Sequence, residues 1–338
     1  MPDEDYKHLK RVENTQDATL SNLLLENFIM FFDWGLVDLG GFYSVEIPEV
    51  GLYGGDKHKL RAVDDPNYND GQVWEGFRSN WVWETGVQNP EQPIQISGVF
   101  LGNTFRATGN VEQPFHINYP DGRIIFDSAI STTSEVKLEY SHKWVNVIPA
   151  EGVPWFRQIQ QGASRLDNST FTQFGSGDWA QLGQTRVQLP AIAVETVPNK
   201  SFNGYQLGGG QFVNSDMLFY VIAETHWECN NLIDQVSFQN DRAIWLFDTN
   251  KIALSGVYPL NYRGELNANA LPSGLYPQLV DEAPNASDTS YNFRYRKCYI
   301  GDARASQITQ IAPNLYMATV DLARKLRQSN HLSYFLCI

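Results

Sequence analysis

The stretch 189-LPAIAVETV-197, continued by 205-YQLGGGQF-212 and 216-DMLFYVIAETHWECNNLIDQVSFQNDRAIWLFD-248, decides the fold. Two runs rich in Val, Ile, Phe and Tyr flank a glycine-rich bend, the pattern of strands joined by a turn. At about Trp227 the period changes, and Leu232, Ile233 and Val236 fall on one side of a helix that runs to about Gln239. A sheet with this helix packed on it is expected, and those three side chains are its expected contacts. A strand near 251–257 and two more, around 292-NFRYRKCYIGDA-303 and 313-PNLYMATVDLARKL-326, complete an α+β half.

Upstream, 150-AEGVPWFRQIQQGASRLDN-168 has helical periodicity with Pro154 suited to a first turn, which places a domain boundary near residue 150. Before it the pattern is β. The segments 94-IQISGVFLGN-103, 115-FHINYPDGRIIFDS-128 and 134-SEVKLEYSHKWVNVIP-149 alternate apolar and polar residues, and Pro120-Asp121-Gly122 marks a hairpin tip. A β-sandwich or small barrel is expected. At the N-terminus, 18-ATLSNLLLENFIMFFDWGL-36 after Asp17 reads as an amphipathic helix that ends near Gly40-Gly41, and 42-FYSVEIP-48 reads as a strand. The expected organisation is thus an N-terminal helical segment (1–40), a β-rich domain (41–150) and an α+β domain (151–338).

Composition narrows the function. The chain of 338 residues is 42% hydrophobic and 19% charged, an ordinary globular balance, and is long enough for two cores. A formal net charge of −13 argues against a phosphate-neutralising face for nucleic acid. No run of about 18 apolar residues to span a bilayer is expected, and the amino terminus lacks the apolar region of a signal peptide. Three scattered cysteines (Cys229, Cys298, Cys337) fit free thiols of a reducing cytoplasm.

Catalytic and metal motifs are incomplete. Asp65, Asn67 and Asn69 have the alternate spacing of a calcium loop, but Gly71 and Glu75 are each displaced by one place, so a pair of Asx turns is the better reading. His226, Glu228 and Cys229 have half of a zinc-deaminase signature without its Cys-x-x-Cys half. Six scattered histidines form no constellation. No enzyme and no cofactor are expected. The loop-like stretch 71–85 carries Trp74, Phe77, Trp81 and Trp83, which either pack on their own domain or form a subunit interface. With Tyr276 in the polar stretch 260–289, they are the candidate interface residues.

The order of elements in 189–248 resembles that of tail-terminator proteins of tailed bacteriophages: the L-P-x-I-x-V-E strand, the Leu-Gly bend, the strand ending in Ala-Glu, the helix carrying Asn231 to Asp234, and the apolar Ile244 to Phe247. The first half, with 34-WGLVDLGGFYSV-45, 64-DDPNYNDGQVWEGFRSNWVWE-84 and the 115–127 hairpin, is similar to virion proteins of contractile-tailed phages. The resemblance implies a structural ring, commonly hexameric, at the head-to-tail junction of the virion, assembled in the host cytoplasm. It also implies neighbours among the tube, sheath and connector proteins, DNA passing through without specific binding, and no membrane. The alternative is a carbohydrate-binding or glycan-cleaving virion protein of the collar, baseplate or fibre that uses the tryptophans of the first domain.

Overall fold

A computed structural model of the chain describes residues 20–47, 56–151, 188–206, 209–246, 259–266, 295–312 and 315–328. The expected N-cap at Asp17, the helical stretch after Pro154, the strand near 251–257, Tyr276 and the tail beyond 328 lie outside the described residues.

The described elements are α-helical and β, an α+β class dominated by antiparallel pairing. Helix α1 spans Leu20–Asp38. Its C-terminus closes as a Schellman motif: Gly41 N donates to Leu36 O (2.7 Å), Gly40 N donates to Val37 O (2.9 Å), and Gly40 sits at φ +89°, which a side chain resists. Ten short strands follow: β1 (Phe42–Val45), β2 (Lys59–Ala62), β3 (Val73–Glu75), β4 (Gly98–Leu101), β5 (Thr104–Ala107), β6 (Phe115–Asn118), β7 (Arg123–Phe126), β8 (Val136–Leu138), β9 (Tyr140–Lys143) and β10 (Asn146–Pro149). Long strands β11 (Ala191–Gln206) and β12 (Gly209–Ala223) precede helix α2 (His226–Ser237). Then come β13 (Ala243–Trp245), β14 (Tyr295–Ala305), β15 (Thr309–Ala312) and β16 (Leu315–Gln328).

The strands form an N-terminal sheet of order β5-β4-β8-β2-β3-β7-β6, a two-stranded ribbon β1-β9, and a C-terminal sheet of order β10-β11-β12-β16-β14-β13 with β15 beside β16. The segment 134–149, which reads as one β run, divides among all three. β8 joins the first sheet, β9 the ribbon, and β10 pairs in parallel with β11, Val147 opposite Ile192. The described strands therefore do not separate at residue 150, because the last strand before it belongs to the sheet that follows it.

Nor does α1 stand apart as a segment of its own. Leu20, Leu24, Phe28, Phe32 and Leu36 pack with Val213, Met217, Phe219, Leu232 and Val236 of the C-terminal sheet and its helix α2. Trp34 packs instead with Trp74, Trp81, Trp83 and Tyr140 of the N-terminal sheet. Apolar residues all around a helix are what contact on more than one side requires. By length and composition α1 alone among the described helices is apolar enough to cross a bilayer, contrary to the expectation from the sequence, yet eight of its residues are buried within the protein.

An ion cluster around the buried Lys143 and Glu84 fastens the helix to the ribbon. Lys143 Nζ of β9 lies 2.5 Å from Asp33 Oδ2 of α1 and 2.7 Å from Glu84 Oε1. Burial would lower the Lys143 ammonium, but the two carboxylates outweigh it and hold it above its ordinary value. One ammonium serves two carboxylates, and burial pushes the fully enclosed Glu84 carboxyl up against the pull of Lys143.

Candidate functional site

The described residues form a cleft of about 690 Å³ between the β6–β7 hairpin and the turn at 259–266, which returns from the C-terminal half of the chain. The hairpin tip is set by its own sequence. Asn118 Oδ1 accepts from Asp121 N (3.1 Å), Asn118 Nδ2 donates to Asp121 Oδ2 (2.9 Å), and Gly122 takes φ +65°. In the opposite wall Asn261 organises the turn: its Oδ1 accepts from Arg263 N (2.8 Å) and Glu265 N (3.1 Å), and its Nδ2 donates to Glu265 Oε2 (2.8 Å).

The walls meet where Tyr119 N donates to Gly264 O at 3.1 Å. Only glycine fits there, since Gly264 sits at φ +77° and a Cβ would lie 2.6 Å from Asn118 Oδ1 and 2.9 Å from Pro120 Cδ. Facing each other in the cleft are Asp127 and Glu265, with His116 between them: His116 Nε2 is 2.9 Å from Asp127 Oδ1, and Nδ1 is 3.1 Å from Glu265 Oε1. Gln72 closes one side, its Nε2 held by Phe126 O (3.1 Å) and Asp127 O (3.0 Å). At the rim Tyr262 is 89% exposed and Tyr68 is 42% exposed. Arg263 Nε donates to the Tyr262 hydroxyl (2.9 Å), with the guanidinium carbon 5.4 Å from its ring centroid.

The calcium-like loop beside the cleft is internally satisfied. Asp65 Oδ1 accepts from Asn67 N (3.0 Å) in an Asx turn, Asp65 Oδ2 meets Arg123 Nη1 (3.2 Å), and Glu75 faces Arg61 (3.9 Å) and Arg123 (3.5 Å). No group of His, Cys, Asp and Glu among the described residues is arranged to hold a metal ion. At the deaminase-like triplet, Thr225 caps α2 by accepting from Glu228 N (3.1 Å), and burial pushes the Cys229 thiol up to about 11, so Cys229 is a core thiol.

The candidate interface residues are corrected by their burial. Trp74, Trp81 and Trp83 are 1%, 0% and 4% exposed and lie in one core with Tyr140, Phe126 and Val99. Their ring nitrogens are used internally: Trp74 Nε1 donates to Gly71 O (2.9 Å) and Trp81 Nε1 to Arg78 O (2.7 Å). A side chain enclosed by its own chain offers no area to a partner, so these tryptophans are neither interface anchors nor a sugar platform. Phe77 is half-buried, its backbone N donating to Tyr140 OH (3.2 Å) and Lys57 lying 5.2 Å from its ring. Large apolar side chains that are exposed include Phe202 (54%), Trp227 (69%) and Phe238 (75%), all in the C-terminal half.

The C-terminal sheet also has an open edge. β10 covers β11 only from Ala191 to Val194, and among the described residues no strand pairs with the remainder of β11, to Gln206, on that side. A register shift between Thr196 and Lys200, with Pro198 inside it, interrupts the edge and leaves Ser201–Gln206 as its regular part. Neither the cleft nor this edge has a local sequence signature. His116 and Glu265 are 149 positions apart, and only the glycine at 264, in a polar run, hints that another chain segment approaches there. No protein-family model, no curated protein and no solved structure matches this chain.

Proposed function

We propose that this chain is a structural, non-enzymatic subunit of a tailed-phage virion. It would form the ring at the head-to-tail junction as a tail terminator or related neck ring, with a terminator-like C-terminal domain joining neighbouring copies. The observation that carries the reading is the edge of β11, which among the described residues is left unpaired beyond Val194: an unpaired strand edge is a template for a strand of another molecule. The element order of residues 189–248 supports it, as does a sheet with α1 and α2 packed on its buried face. Phe202 on the edge and Trp227 and Phe238 on α2 supply exposed aromatic anchors of the kind that interfaces favour. One edge docking on a different surface of the next copy is a heterologous contact, which closes into a ring when the rotation allows; a hexamer is the favoured closure. The net charge of −13 suits a channel that passes DNA without holding it. Tube, sheath and connector proteins would be its neighbours in the virion.

Electron microscopy of the purified chain at high concentration, with immunogold labelling of the phage particle, tests the reading. Closed rings and gold at the neck are expected, and Phe202→Asp should abolish the rings without lowering Tm. Gold on the head surface, baseplate or fibres would overturn it. The second reading, a carbohydrate-binding virion component, is favoured by the His116 cleft.

A further inference from the structure

We propose that the cleft between the β6–β7 hairpin and the 259–266 turn is a binding site for a neutral oligosaccharide, and that it binds without cleaving. The inference stands on the cleft alone and does not require the chain to form a ring.

The shape comes first. A volume of about 690 Å³ lies in the middle of the small-molecule range, ~300–1,000 Å³, and suits a short chain of sugar rings. Its lining is chemically mixed. Asp127 and Glu265 present carboxylate oxygens, and Asn118 and Asp121 add an amide and a third carboxylate from the hairpin tip. At the rim the aromatic faces of Tyr262 and Tyr68 meet solvent. Arg263 touches Tyr262 at both its hydroxyl and its ring. Aromatic faces in the same lining as hydrogen-bond acceptors complement a molecule with one C–H face and a girdle of hydroxyl donors, which is what a pyranose is.

Competing ligand classes fit less well. Phosphates and polyanions meet three carboxylates in the walls. A free cation would have to displace partners already in place: His116 on Asp127 and Glu265, and Asn118 on Asp121. Cleavage is set aside by geometry. A glycosidase holds the scissile bond between its two carboxyl groups, whereas here the imidazole of His116 fills the space between Asp127 and Glu265 with a short contact on each side.

Isothermal titration and saturation-transfer NMR on the full chain, with maltotriose, cellotriose and chitotriose as probes and spermidine and inorganic phosphate as comparators, test this. At least one trisaccharide should bind with millimolar or tighter affinity. Tyr262→Ala should weaken that binding about tenfold or more and leave Tm unchanged, as should Tyr68→Ala, while reducing-end assays detect no hydrolysis. Three results would overturn the proposal: no trisaccharide binding at about 10 mM, binding unaltered in both tyrosine variants, or binding of spermidine or phosphate alone. Release of reducing ends by the wild type and not by Glu265→Gln would overturn its non-hydrolytic part.

Discussion

In the N-terminal sheet and its ribbon every strand is three or four residues long, and the core they enclose is built around Trp34, Trp74, Trp81, Trp83 and Tyr140. In the C-terminal sheet β11, β12, β14 and β16 run for 16, 15, 11 and 14 residues, and the core is aliphatic and phenylalanine-rich. Short strands place few inward-facing residues on each pass, so a sheet made of them encloses volume with large aromatic side chains, Trp81 and Trp83 among them supplied from a connecting segment. Long strands do it with many small contributions. The difference shows why the tryptophans of the aromatic segment 71–85 are interior and why the long β11 outruns its short neighbour β10.

That contrast should appear first in stability. Trp81→Ala removes a fully buried indole that one turn-borne residue supplies, and about 3–5 kcal/mol of stability should be lost by denaturant unfolding. Leu232→Ala on α2 removes one of many aliphatic contacts and should cost about 2–5 kcal/mol. Because α1 packs in both cores, each variant should lower a single cooperative transition. Two separated transitions would show that the helix does not couple the halves.

The Lys143 cluster sharpens the same point, since it is where α1 is fastened to the ribbon by charge. Lys143→Met leaves the buried Glu84 and the half-buried Asp33 without their cation and should cost about 3–5 kcal/mol. Adding Glu84→Gln to that variant removes one uncompensated carboxylate and should restore part of the loss. A double variant less stable than Lys143→Met would contradict the pairing.

A pH dependence should follow from His142, which the N-terminal half buries beside Tyr43, Phe77 and Tyr140. Burial, aided by the charge of Arg78, lowers its pKa from 6.5 to about 3. Between those values the unfolded chain binds a proton that the folded chain refuses, so the stability that neutral His142 contributes is present above about pH 6.5 and is lost as pH falls toward 3. The loss should approach roughly 1.4 kcal/mol per pH unit. His142→Asn should flatten the stability profile in that window relative to wild type, measured by urea unfolding at pH 7, 5.5 and 4.5; parallel profiles would refute it.

The smallest effect belongs to a local signal. Thr225→Ala removes the cap of α2 and should cost about 1 kcal/mol in thermal unfolding. No change would mean that packing on the sheet alone fixes the start of the helix.

Legibility in the sequence follows the same division. The β11–β12 pair, helix α2 with Leu232, Ile233 and Val236 buried, and the Pro120-Asp121-Gly122 hairpin are all marked by local pattern, because alternation, helical period and turn chemistry are short-range properties. What was hidden is long-range. Nothing near Asn146 says that β10 leaves the first sheet to pair with residue 191 and its neighbours. The indoles of Trp81 and Trp83 read equally as core or contact, and burial decides for core. His116 reads as a solitary histidine because Glu265 reaches it from the other half of the chain.

The most direct measurement is amide hydrogen exchange on the chain alone and in the assembled particle. The edge account predicts that outward amides within 201–206 become protected on assembly while those of 71–85 exchange at the same rate in both states. Slowed exchange in 71–85 with none in 201–206 would contradict it and return the interface to the aromatic segment.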